Sequence, residues 1–131
     1  MQVIAYLGKG SPESRRLEEI IRKASKTRRV AFCRTLRGLR EALQFSQTMN
    51  TVVVLLASSR RTLLNLSSLQ EHFDHLPRIL IVPDAEEKTL AKAHRLKPRY
   101  VALCGSDFGD VELVLARLLE RGDTSLFGLN E

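Results

Sequence analysis

The sequence predicts an α/β domain, a parallel sheet of buried strands with a helix following each one. Three observations predict it. Five apolar runs of four to six residues, rich in Val and Ile, recur along the chain, and this is the composition of strands buried on both faces. The segments between them carry apolar residues at helical spacing. Serine, proline and aspartate stand where helices would begin and strands resume.

Taken in order, the first run, Val3–Leu7, leads into Gly8-Lys9-Gly10-Ser11 and then Pro12. Proline suits a first helical turn and Ser11 suits its N-cap. Leu17, Ile20, Ile21 and Ala24 then repeat at i, i+3, i+4 and i+7, which predicts the first helix. Val30–Cys33 is the second strand, and Leu36, Leu39 and Leu43 form the narrower stripe of the second helix. After the third strand, Val52–Ala57, the residues Leu63, Leu66, Leu69 and Phe73 predict a single third helix. Pro77 precedes the fourth strand, Ile79–Val82. Asp84 and Glu87 have the spacing of a capping box, opening a fourth helix over roughly Glu86–Lys97. Pro98 precedes the fifth strand, Tyr100–Leu103. Val111, Val114, Leu115 and Leu118 mark a fifth helix, Val111–Arg121, which Gly122 would close. The domain is therefore expected over residues 1–122, with 123–131 as a C-terminal tail carrying Leu126, Phe127 and Leu129.

Strict alternation of strand and helix specifies a parallel sheet covered on both faces. Right-handed crossovers leave few topologies at this size, and the flavodoxin-like (βα)5 sandwich with strand order 2-1-3-4-5 is the commonest. Strands 2 and 5 are then opposite edges, so Cys33 and Cys104 stay free thiols.

Composition sets further bounds. A chain of 131 residues fits one domain and can bury a core without disulfides or metals. A charged fraction of 27% excludes general disorder. The longest apolar run, Val52–Ala57, is too short to span a bilayer, and MQVIAYLG has no basic n-region. The expectation is a cytoplasmic protein. The net charge of +6 is uneven. Residues 1–66 hold 13 Lys/Arg against four Asp/Glu, a balance of +9, while residues 67–131 hold eight against 11, a balance of −3. Such asymmetry can suit phosphates or an acidic partner, but Arg15, Arg16, Arg22, Lys23, Lys26, Arg37 and Arg40 read first as the solvated faces of two helices.

In an open α/β sheet, ligands bind beyond the carboxyl ends of the strands, where strand order reverses. That places Gly8-Lys9-Gly10-Ser11 and Ser58-Ser59-Arg60-Arg61-Thr62 at the centre of any site, flanked by Pro83-Asp84-Ala85 and Cys104-Gly105-Ser106-Asp107. Lys9, Gly10, Arg60 and Arg61 are the candidate anion-binding residues, beside two helix N-termini. Asp84 and Asp107 read as helix caps rather than as a metal pair. His72 and His75 lie one turn apart with no nearby Cys, and with His94 they predict no metal site. GKGSPES lacks the GK[ST] ending of a phosphate loop. Ser11, Ser58 and Ser59 have no histidine placed as a base, so no catalytic residue and no cofactor is predicted. Helix-turn-helix, zinc-finger and aromatic RNA-stacking motifs are absent, so only non-specific attraction to nucleic acid is expected.

The five βα units and the order of elements resemble the receiver domain of bacterial response regulators over residues 1 to about 122. A working receiver has an acidic pair after strand 1, where this chain has Gly8, Lys9 and Gly10. Its phosphoacceptor aspartate ends strand 3, where Ala57 and Ser58 stand, and its strand 4 hydroxyl is replaced by Pro83. Its strand 5 lysine falls near Cys104 or Gly105, and Tyr100 lies near its switch aromatic. An aspartyl phosphate needs a carboxylate nucleophile, and magnesium needs converging carboxylates. The resemblance thus implies a pseudo-receiver, non-enzymatic in two-component signalling, acting through protein–protein contacts. It further implies a partner surface on the fourth helix, fifth strand and fifth helix, with a homodimer as one candidate assembly. Tyr100, Leu113, Leu119 and Phe127 are the residues singled out there. The alternative function is a small-molecule domain holding a phosphorylated or anionic ligand where the strand order reverses.

Overall fold

The computed structural model describes residues 2–45 and 50–126. Five strands, β1 (Gln2–Tyr6), β2 (Arg29–Cys33), β3 (Thr51–Leu56), β4 (Arg78–Val82) and β5 (Tyr100–Leu103), form one sheet in the order β2-β1-β3-β4-β5. Every pairing is parallel, with Val3 opposite Val30 and Val52, and Ile79 opposite Tyr100. This is the flavodoxin-like arrangement the alternation predicts.

Side chains alternate between two cores, as strand geometry requires. Val3, Ala5, Leu7, Val52, Val54 and Leu56 face helices α1 (Pro12–Ser25) and α6 (Gly109–Leu126). Ile4, Tyr6, Val53, Leu55 and Leu80 face α2 (Leu36–Phe45), α3 (Arg60–Ser67), α4 (Gln70–Phe73) and α5 (Glu87–Arg95). The inner strands β1, β3 and β4 are buried along their whole length. The edges β2 and β5 are only partly covered, so two of the five runs are not buried on both faces. Free Cys33 and Cys104 sit on those opposite edges.

Helix α1 starts as expected, and its cap is reciprocal. Ser11 Oγ accepts from the Ser14 N–H at 3.1 Å, and Ser14 Oγ accepts from the Ser11 N–H at 2.9 Å. Ser59 caps α3 through the Thr62 N–H.

Three expectations about the helices also change. The single third helix is two, α3 and α4, because Ser67 and Ser68 donate their hydroxyls to the Leu64 and Asn65 carbonyls at 2.6 Å. Serine that competes for carbonyls this way weakens the helical ladder. Asp84 and Glu87 form no capping box: α5 begins only at Glu87, and Asp84 instead accepts from the Glu86 N–H at 3.0 Å. Gly122 does not end α6, which continues to Leu126. An interior glycine costs a helix about 1 kcal/mol, too little to stop one packed on α1. The expected tail therefore begins inside a helix, and Phe127 and Leu129 lie outside the described residues.

Candidate functional site

Helix α1 leaves β1 toward one face of the sheet and α2 leaves β2 toward the other, so the chain reverses between β1 and β3. A cleft of about 430 Å³ opens at the carboxyl ends of these strands. Its walls are the turn after β1 (Leu7, Gly8, Lys9, Ser11), Arg34 and Thr35 after β2, and Ser58 and Thr62 around the start of α3, with Tyr6 and Leu56 as the floor. Gly8 has φ +65°, a left-handed conformation that favours glycine. A Cβ there would lie 3.7 Å from the Tyr6 hydroxyl. No carboxylate lines the cleft.

Of the four anion-binding candidates, Lys9 lines the cleft and is exposed. Gly10 is exposed beside it, with open space around its Cα. Arg60 is directed elsewhere: its Nη2 donates to Glu86 Oε1 at 2.8 Å, toward the β4–α5 loop. Arg61 is exposed on α3 and is not part of the cleft wall. The second cation of the cleft is Arg34, which sequence reasoning missed. Strand 2 neighbours strand 1 in the predicted order, so the residue following strand 2 was findable as a wall of the same cleft. Arg34 Nη2 donates to Glu18 Oε1 at 2.6 Å, and Nη1 donates to the Gly8 carbonyl at 3.5 Å. Glu18 also accepts from Arg22 at 2.9 Å. Hydrogen bonds from Arg22 and then Arg34 hold the Glu18 carboxyl below its ordinary range, against the opposing effect of burial.

Toward β5, the Cys104 Sγ reaches across the end of β4 to lie 3.9 Å from the Ala57 carbonyl oxygen. Burial pushes the Cys104 thiol up, and the charge of Glu13 adds to it. Asp84 is held below the usual carboxylate range by the neighbouring Thr89 side chain and then by the Glu86 N–H it accepts from, with Arg60 nearby. Asp107 accepts from the Gly109 N–H at 3.0 Å. Both aspartates thus order local turns. No cluster of His, Cys, Asp and Glu suited to a metal occurs among the described residues.

On the β5 edge, Tyr100 donates its hydroxyl to Asp110 Oδ2 at 3.1 Å, and Leu113 follows one turn later at 59% exposure. Leu103 at the end of β5 is 41% exposed. Leu119 is wholly buried in the core shared with α1 and is removed from this surface. Phe127 lies outside the described residues. No described helix is long and apolar enough to cross a membrane. No protein-family model, curated protein or solved structure matches the chain. The fold therefore stands on its own sheet order and packing.

Proposed function

We propose that this chain is a receiver-like regulatory domain that acts by binding a protein partner along α5, β5 and α6, without phosphoryl transfer. The observation that carries the reading is the partly covered β5 edge, where Tyr100 and exposed Leu113 lie on the α6 side and exposed Leu103 on the α5 side. Among the described residues β5 pairs with β4 alone, so no strand covers its outer edge. Asp110 tethers Tyr100, and Leu113 sits on the same side of α6 because residues three apart are neighbours on a helix. Exposed Arg99 and Arg117 flank the edge, which favours a partner with carboxylates at its rim. Exposed apolar groups ringed by charge have the anatomy of a contact surface.

The carboxyl end of the sheet supports the second half of the proposal. Lys9, Ala57, Ser58, Pro83 and Cys104 stand where receiver chemistry needs carboxylates, a hydroxyl and a lysine. A phosphoryl group arriving there would find no carboxylate nucleophile on β1 or β3.

Light scattering over a concentration series tests a second copy as the first partner. Apparent mass is expected to rise with concentration, and Leu103→Lys with Leu113→Lys to abolish the rise. A wild-type chain that stays monomeric throughout rejects the homodimer. Incubation with a small phosphodonor and magnesium is expected to leave the intact mass unchanged; a hydroxylamine-labile adduct would refute the loss of phosphotransfer.

A further inference from the structure

We infer that the cleft at the ends of β1, β2 and β3 binds a small phosphate monoester, with its phosphate on Lys9, Arg34 and the Tyr6 hydroxyl. Tyr6 carries the inference furthest. It is only 9% exposed, yet its hydroxyl has no hydrogen-bond partner among the described residues. Buried tyrosines ordinarily place that hydroxyl on a partner; here the ring is buried while the hydroxyl opens onto the cleft, where a ligand can take it as a donor. The Tyr6 hydroxyl lies at the cleft floor beside Gly8, where the missing Cβ keeps the approach open.

The surrounding charges have the matching sign. Lys9 makes no ion pair among the described residues, and its ammonium offers three donors. Arg34 is fixed across the cleft wall by Glu18 and the Gly8 carbonyl, with further N–H groups left over. Because Glu18 offsets much of the Arg34 charge, Lys9 supplies the net attraction. Ser58, Thr35 and Thr62 add hydroxyls. Phosphate oxygens accept hydrogen bonds from all of these groups, and no carboxylate in the wall repels them.

Size favours a monoester over the bare ion. About 430 Å³ lies within the range of small-molecule sites and far exceeds one phosphate. Leu7 and Leu56 offer apolar contact to the organic part. This site lies at the sheet's carboxyl end, and its failure would leave the β5-edge proposal standing.

The test titrates inorganic phosphate and ribose 5-phosphate separately into 15N-labelled protein, at constant ionic strength against chloride. The Gly8 and Gly10 amide signals are expected to move saturably, with ribose 5-phosphate binding tighter. Lys9→Ala is expected to weaken binding about tenfold, the effect of one charged hydrogen bond. Tyr6→Phe keeps the buried ring and is expected to weaken it about threefold, as for a neutral hydrogen bond. Arg40→Ala removes an equal charge from an exposed position on α2 and should change nothing. Non-saturating shifts, equal losses in Lys9→Ala and Arg40→Ala, or equal affinity for the two probes would overturn the assignment.

Discussion

Replacing Arg78 by methionine tests how the amino end of the sheet is held. Arg78 opens β4 at 5% exposure, and its guanidinium donates to four backbone carbonyls. Nη1 reaches Leu96 at 2.7 Å and Lys97 at 2.9 Å, beyond the end of α5. Nη2 reaches Phe73 at 2.9 Å and Asp74 at 2.6 Å, at the end of α4. The same group stacks 5.4 Å from the Phe73 ring centroid. Helix C-termini leave carbonyls unpaired and carry partial negative charge, so one cation satisfies two helix ends at once. Burial pulls the Arg78 pKa down and Asp74 pushes it back, but an arginine stays charged. Each charged hydrogen bond contributes about 1.5–3 kcal/mol, and the four are not additive. Methionine keeps much of the apolar volume and removes every donor, so the expected loss is about 3–5 kcal/mol, from the two buried carbonyls left unmet at about 1–3 kcal/mol each. For a chain of this length that is a fall in Tm of about 10–18 °C. Arg78→Lys keeps the charge but cannot span both helix ends, and should lose about half as much. Thermal and urea unfolding followed by circular dichroism measure both. A methionine variant melting within about 3 °C of wild type would refute the account, since that is under 1 kcal/mol.

Other outcomes are expected from the same structure. Lys97 holds φ +50°, so Lys97→Gly should raise stability by about 0.5–1 kcal/mol in urea unfolding; an unchanged or lower midpoint refutes the strain. Glu18 has a depressed folded pKa, so its contribution is present above its unfolded value of 4.5 and is lost as pH falls through the folded one. Glu18→Gln should therefore cost stability at neutral pH and converge with wild type in acid; parallel curves at every pH would rule this out. Mild oxidation should leave the intact mass free of an intramolecular disulfide, because Cys33 and Cys104 occupy opposite sheet edges. A loss of two hydrogens in the monomer would contradict the strand order.

The fold was legible because its determinants are periodic. Strand order and the two cores follow from five apolar runs and the helical stripes between them, and Ser11-Pro12 announced the start of α1. The errors fell where local chemistry overrides periodicity. Leu63, Leu66, Leu69 and Phe73 do share one face, but the hydroxyls of Ser67 and Ser68 end α3 between them. Gly122 looked like a terminus because sequence alone does not weigh packing against the small cost of one glycine. Side-chain direction was the least legible feature. Arg60 and Arg34 both follow strands at the carboxyl end, and a sequence gives no means of seeing that Glu86 takes the first while Glu18 holds the second at the cleft. The Tyr6 hydroxyl was hidden for a different reason, since the alternation of β1 places Tyr6 in the core and says nothing of where its ring ends.

The two ends of the sheet divide the polar work between them. At the amino end, Arg78 is buried and has four carbonyl partners, so its charge is spent on joining α4 and α5 to the sheet. At the carboxyl end, Lys9 and the Tyr6 hydroxyl have no such partners among the described residues. The Arg78 Nε–H is also unpaired but wholly enclosed, so no ligand reaches it, whereas the Tyr6 hydroxyl and the Lys9 ammonium face an open cleft and gain on binding. Substitutions at the two ends should therefore separate. Arg78 variants lower stability while sparing affinity measured below their melting range, and Lys9 or Tyr6→Phe variants lower affinity at nearly unchanged stability. A Tyr6→Phe variant as unstable as Arg78→Met would mean that the hydroxyl is already engaged within the fold, and the cleft would lose its principal support as a binding site.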